Sequence, residues 1–214
     1  MPATPSPTRL TTDDDSEAES AAWDSDRSDS ARGSSIGLGV IGSILICVGS
    51  LGAGGTLVHD PVLSNTMLGA WRYGHGKMLA TVAIYLGVGL LALSWIRLGR
   101  AVHAGTVDTR RVLKAIAVWT APLLIMPPIF TRDLYSYLAQ GALANLGIDP
   151  YRAGPSTLPG TMSENVAWVW MDAPSPYGPL FITMMASIVA FTGHNLILGV
   201  LVTRLVLLAG LVLL

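Results

Sequence analysis

Five apolar runs joined by polar connections constrain this chain more than any other feature. They lie at about residues 36–58, 78–96, 112–130, 178–192 and 196–214. A bilayer core of roughly 30 Å needs about 20 residues of helix. Four runs reach or approach that length, and the fourth does so if "YGPLFITMMASIVAFTG" starts near Tyr177. In lipid, only helices and closed barrels satisfy their own backbone. The runs lack the alternation of barrel strands. The sequence therefore predicts an all-α polytopic integral membrane protein with about five transmembrane helices. The charged fraction agrees: it is 13%, against about 25% for a soluble domain.

The charge is unevenly spread. Of 14 acidic residues, eight precede residue 34. Residues 1–34 ("DDDSEAESAAWDSDRSDSARGSS" within them) are rich in charge and serine, with little to bury, and read as a disordered acidic tail. Residues 35–214 form the transmembrane part. The 97–111 connection holds Arg97, Arg100, Arg110 and Arg111, with Lys114 just beyond and Asp108 alone against them. By the positive-inside rule this connection is cytoplasmic. The tail is then cytoplasmic too, and the connections 59–77 and 131–177 are external. The Gly193–His194–Asn195 turn returns to the cytoplasmic side. Arg72 and Lys77 on the 59–77 connection weaken the contrast without reversing it. The net charge of -1 gives no indication of nucleic acid, and the single Cys47 cannot form an intrachain disulfide. The chain stops inside the fifth run without a polar flank, as the N-terminal part of a longer protein would.

Six acidic residues remain after the tail, and four of them lie on the 131–177 loop: Asp133, Asp149, Glu164 and Asp172. That loop begins "RDLYSYLAQGALANLG", in which Leu134, Tyr137, Leu138, Ala142 and Leu146 are spaced for a helix lying along the interface. Gly147 would end it. Tyr135 and Tyr137 suit headgroup depth. Turns through "DPYRAGPSTLPG" and the aromatic stretch "WVWMDAPSPYGPL" follow. A carboxylate at a bilayer surface can act as general base toward a hydroxyl, and aromatic rings suit the C–H faces of sugars. Structural alternatives stand beside these. Arg132 and Asp133 can be a helix start with Asp133 as N-cap. Asp149 in "DPY" suits a turn. Tyr151, Trp168, Trp170 and Tyr177 suit an interfacial belt as well as sugar contact. The seven glycines from Gly37 to Gly55 suit close helix packing, and His194 suits a loop.

"RDLYSYLAQGALANLGIDPY" with "PSPYGPL" resembles the actinobacterial polyprenol-phosphomannose-dependent α-1,6-mannosyltransferases, the mannopyranosyltransferase B family of the GT-C superfamily. The resemblance is strongest over residues 130–181 and does not reach the tail. It implies a GT-C-like fold and a membrane enzyme that moves mannose from a polyprenyl phosphomannose donor to a growing α-1,6-mannan glycolipid, with inversion. It places the general base at Asp133. Arg132, Tyr135, Tyr137, Asp149, Tyr151, Trp168, Trp170 and Tyr177 are then candidate substrate contacts. Leu134 and Tyr135 follow Asp133 where the commoner GT-C pattern has a second acidic residue, so no metal and no cofactor are expected. A non-catalytic scaffold or a transporter of envelope assembly is the alternative.

Arg204 is the last candidate. It lies roughly ten residues beyond Asn195, at an expected mid-depth where an unpaired arginine costs at least about 2.5–3.5 kcal/mol. A lipid phosphate would suit its guanidinium. A carboxylate elsewhere, or snorkelling, would also satisfy it.

Overall fold

The computed structural model describes residues 35–64 and 66–213. The acidic tail expected at 1–34 lies outside them. The described residues contain helices and turns and no strand. All five apolar runs are helical: α1 (Ser35–Ala53), α2 (Gly74–His103), α3 (Thr109–Ile125), α6 (Pro179–Thr192) and α7 (Leu196–Val212). Between α3 and α6 lie α4 (Asp133–Asn145) and the short α5 (Thr161–Glu164). Two of these helices, α1 and α2, are long and apolar enough to cross a membrane.

The lower layer is a three-helix bundle. Helices α1 and α2 run antiparallel at very short range. A Cβ on Gly42 would lie 2.8 Å from the Gly87 carbonyl oxygen, and one on Gly49 would lie 2.7 Å from that of Ala80. Small residues let apolar helices approach this closely. Helix α3 runs parallel to α1. The Trp119 indole donates to the Ile36 carbonyl at 2.9 Å near one end, and Gly55 N–H donates to the Pro128 carbonyl at 2.6 Å near the other. Helix α3 ends at Ile125 because Met126 precedes Pro127 and is extended, at φ -74° and ψ 155°.

Above the ends of α1 and α3 sits a second layer built on α4. Helix α4 stops in a Schellman motif: Gly147 takes φ 72°, Ile148 N–H reaches Leu143 O at 3.0 Å, and Gly147 N–H reaches Ala144 O at 3.1 Å. The expected interfacial helix is instead buried nearly all round. Tyr135, Ser136, Leu138, Ala139, Gln140, Gly141, Ala142 and Leu143 are all inside. Helix α6 runs parallel along it, with Tyr137 against Phe181 and the Asn145 amide on the Ala186 carbonyl at 2.8 Å. Leu138 meets Gly199 of α7. Tyr135 is 3% exposed, so it is a core residue and not a headgroup one.

Helix α6 is shorter than the run expected to span, and its packing differs from that of the bundle helices. Fourteen residues of helix span about 21 Å, well short of a bilayer core, and α6 packs on α4 rather than beside the bundle. The turn after it lies next to the 131–177 loop. His194 and Asn195 share a cavity of about 540 Å³ with His59, Thr161 and Asn165. From there α7 runs back toward the bundle, and Arg204 reaches the end of α3. Its guanidinium donates to the carbonyls of Leu124, at 2.9 Å, and Met126. These carbonyls belong to the unsatisfied last turn of α3, at the negative end of its dipole. Arg204 thus sits at the level of the bundle's upper end and not at its middle.

Candidate functional site

The site is organised by the linker between α1 and the Met67–Arg72 3₁₀ helix. Its backbone is held from several directions. Tyr135 Oη donates to Gly55 O at 2.7 Å, and Arg132 Nη2 donates to Thr56 O. Arg72 Nη2 donates to Leu57 O at 3.1 Å, and Val58 N–H donates to the buried Asn165 side chain at 2.8 Å. Burial pushes the Tyr135 phenol up to about 12, so it remains a donor across the physiological range. On the other side, the chain turns from α3 into α4 through Phe130, at φ 64°, with Thr131 N–H on Ile129 O at 2.8 Å. Left-handed backbone at a bulky residue is strained, and such strain persists where surrounding contacts impose it.

This turn delivers Asp133 to the first residue of α4, half-buried at the edge of a cleft of about 640 Å³. The cap position belongs to Arg132, and Asp133's own N–H finds Thr131 Oγ1 at 3.2 Å. The Asp133 carboxylate accepts from Trp170 Nε1 at 2.8 Å. So the side chain is held by an indole across the loop and not by the helix start. The cleft is otherwise lined by the Gly52–Thr56 backbone, Arg72, Tyr73, Lys77, Arg132 and Val169. Among the described residues the other Asp133 carboxylate oxygen has no hydrogen-bond partner and can accept a proton from a hydroxyl, while the basic residues lining the cleft can hold an anion.

The candidates fall into four places. Asp133, Arg132 and Trp170 converge on the cleft. Tyr137 and Tyr177 meet edge-on at 5.2 Å, and both rings contact Phe181 at the start of α6, Tyr137 edge-on and Tyr177 tilted. Asp149 accepts from Tyr151 N–H at 2.9 Å and faces Arg152 at 3.4 Å, which makes a surface turn. Tyr151 is exposed there, and Trp168, 85% exposed, opens the short 3₁₀ turn that ends at Trp170. Tyr135 and Arg204 line a separate apolar cavity of about 320 Å³, behind Thr56. Among the described residues, no group of three His, Cys, Asp or Glu could hold a metal ion. The sequence reading missed Arg72 and Lys77 as site residues. Their signal was present as basic charge on a connection expected to lack it.

The model of the family described as alpha-(1->6)-mannopyranosyltransferase, N-terminal domain, matches residues 36–214. The chain belongs to that family. It is 41% identical over 177 residues to an alpha-(1->6)-mannopyranosyltransferase A of Mycobacterium tuberculosis, covering 83% of this chain and 34% of that protein. It is 32% identical over 190 residues to an alpha-(1->6)-mannopyranosyltransferase B of Corynebacterium glutamicum, covering 82% and 31%. Relatives of both the A and the B kind therefore match, and the chain spans about a third of their length. No solved structure matches it.

Proposed function

We propose that this chain is the base-bearing part of a membrane mannosyltransferase. The enzyme moves mannose from a polyprenyl phosphomannose donor to a mannan glycolipid through an α-1,6 linkage, with inversion. The observation that carries the proposal is Asp133: a carboxylate at a strained turn, oriented by Trp170 and facing an open cleft. The family membership supplies the sugar and the linkage class.

The acceptor hydroxyl gives its proton to the Asp133 carboxylate as its oxygen attacks C1 of mannose. The C1–O bond to phosphate breaks, and that electron pair stays on the phosphate oxygen. The polyprenyl phosphate leaves as a monoester with one more negative charge than the diester had. Trp170 and Arg132 position the groups. Tyr137 and Tyr177 offer aromatic faces near the α4 start, while Asp149, Tyr151 and Trp168 are candidate contacts for the acceptor's outer sugars.

The same reading places the basic α2–α3 connection inside the cell and the α4 layer outside. Helices α1, α2, α3 and α7 then enter the membrane, and α6 belongs to the external layer.

Asp133→Asn tests the base. It keeps the size and the indole contact but cannot take the proton. Mannose transfer should fall by about 10²–10⁴-fold, with the protein still inserted and its melting unchanged. Normal transfer by a well-expressed variant would exclude the role.

A further inference from the structure

The cleft at Asp133 carries more positive charge than it neutralises. Arg72, Lys77 and Arg132 line it against one carboxylate. Among the described residues, none of the three pairs with a carboxylate within 4.0 Å. Arg72 and Arg132 each give one amine to a linker carbonyl, the Arg132 guanidinium lies over the Tyr135 ring, and its buried Nε has no acceptor among the described residues. The Lys77 ammonium has no hydrogen-bond partner among the described residues. Cations gathered on one concave space concentrate anions there.

We infer that Arg72 and Lys77, with Arg132, seat the phosphate of a prenyl-phosphate-linked sugar donor. The identity of the ligand rests on the transfer reading above; the anion seat does not. The ammonium of Lys77 and the remaining guanidinium N–H groups of Arg72 and Arg132 are donors of the kind that phosphate oxygens accept from. The transfer step adds one negative charge to that phosphate, so cations already in place stabilise the charge as it develops. An apolar cavity adjoins the cleft across Thr56, lined by Leu51, Leu63, Ile125 and Leu201. Apolar space beside the cations suits an amphiphile and gives nothing to a free phosphate. Arg204, the donor candidate from sequence, lines that apolar cavity and not the cleft, with its Nη1 on the Leu124 and Met126 carbonyls.

The test uses the intact protein in phosphatidylcholine nanodiscs and a radiolabelled prenyl monophosphate. Lys77→Gln breaks no side-chain bond among the described residues, so it is the decisive variant. It should weaken monophosphate binding by about tenfold, the scale of one lost charge-assisted contact. Arg72→Gln should add a comparable loss, and prenyl alcohol binding should change in neither variant. Inorganic phosphate should compete only at far higher concentration. Unchanged monophosphate binding in Lys77→Gln and in the double variant would overturn the proposal. Competition by inorganic phosphate at equal concentration would overturn the lipid assignment. Asp133→Asn removes a negative charge from the cleft and should bind the monophosphate at least as tightly. The two ideas therefore fail separately: full transfer by Asp133→Asn removes the base and leaves the phosphate seat standing.

Discussion

Gly141 sits in the middle of α4, where that helix presses on α6. A Cβ there would lie 2.5 Å from the Met185 carbonyl carbon, 2.6 Å from its oxygen and 2.7 Å from the Ala186 nitrogen. All three are backbone atoms, so no side chain can rotate away. Ordinary carbon contacts lie near 3.5–4.0 Å, so α4 and α6 must part by roughly 1 Å in Gly141→Ala. Overpacking of this kind costs about 1–3 kcal/mol. At about 2–4 °C per kcal/mol for a chain of this size, the melting midpoint should fall by about 2–12 °C. The loss should not stop at stability. Helix α4 carries Asp133 on its first turn, and a misplacement of about 1 Å at a reacting centre is worth on the order of 100-fold in rate. The assay pairs thermal melting of detergent-purified protein with mannose transfer by the same preparation. Gly147→Ala is the control. Its position has φ 72° with nothing within 4 Å, so it should cost about 1–2 kcal/mol of backbone strain and leave transfer near the parent rate. A Gly141→Ala protein that melts and transfers like the parent would refute the packing argument.

Two further outcomes test the placement of α6 and α7. Arg204→Gln strips the Leu124 and Met126 carbonyls of their donor and should destabilise the protein by about 1–3 kcal/mol, with donor dependence unchanged; a higher donor requirement at unchanged melting would return Arg204 to the donor site. In a Cys47→Ser background, His194→Cys and Ser156→Cys should react with an impermeant maleimide from the same side of the membrane and Arg110→Cys from the other. Opposite sides for residues 194 and 156 would sink the assignment of α6 to the outer layer.

The helices were legible because apolarity over 15 to 20 residues is a local property. The end of α4 at Gly147 was legible for the same reason: a Schellman turn needs a left-handed residue, and only neighbours in the chain close it. The environment of α4 was not. Leu134, Tyr137, Leu138, Ala142 and Leu146 do form a stripe. Yet Ser136 and Gln140, off that stripe, are buried as well, because α6 covers one side and the linker after α1 approaches the first turn. The Gln140 side chain can be buried because Ser175, on the far arm of the loop, donates to it at 2.9 Å. Periodicity reports which residues prefer apolar surroundings; it cannot report a partner that arrives from elsewhere to satisfy a polar one.

The same limit explains the two cations. Along the chain, Arg72 and Lys77 are basic residues on a connection that the positive-inside rule expects to be poor in them. A charge count has one use for such residues, which is to blur an orientation. The fold supplies another. Gly54 and Gly55 let the linker reach Pro128, Arg132 and Tyr135 bind its carbonyls, and the 3₁₀ turn that follows carries Arg72 back onto Leu57. Closing that loop turns both cations toward the space beneath Asp133. Charge that breaks a topological rule at low cost to the bilayer is thus a signal of a polar site at the interface. The discriminating measurement is whether removing it changes orientation or anion binding. On the proposed topology the arginines of the α2–α3 connection hold the orientation, so Lys77→Gln should leave the labelling pattern intact while prenyl monophosphate affinity falls.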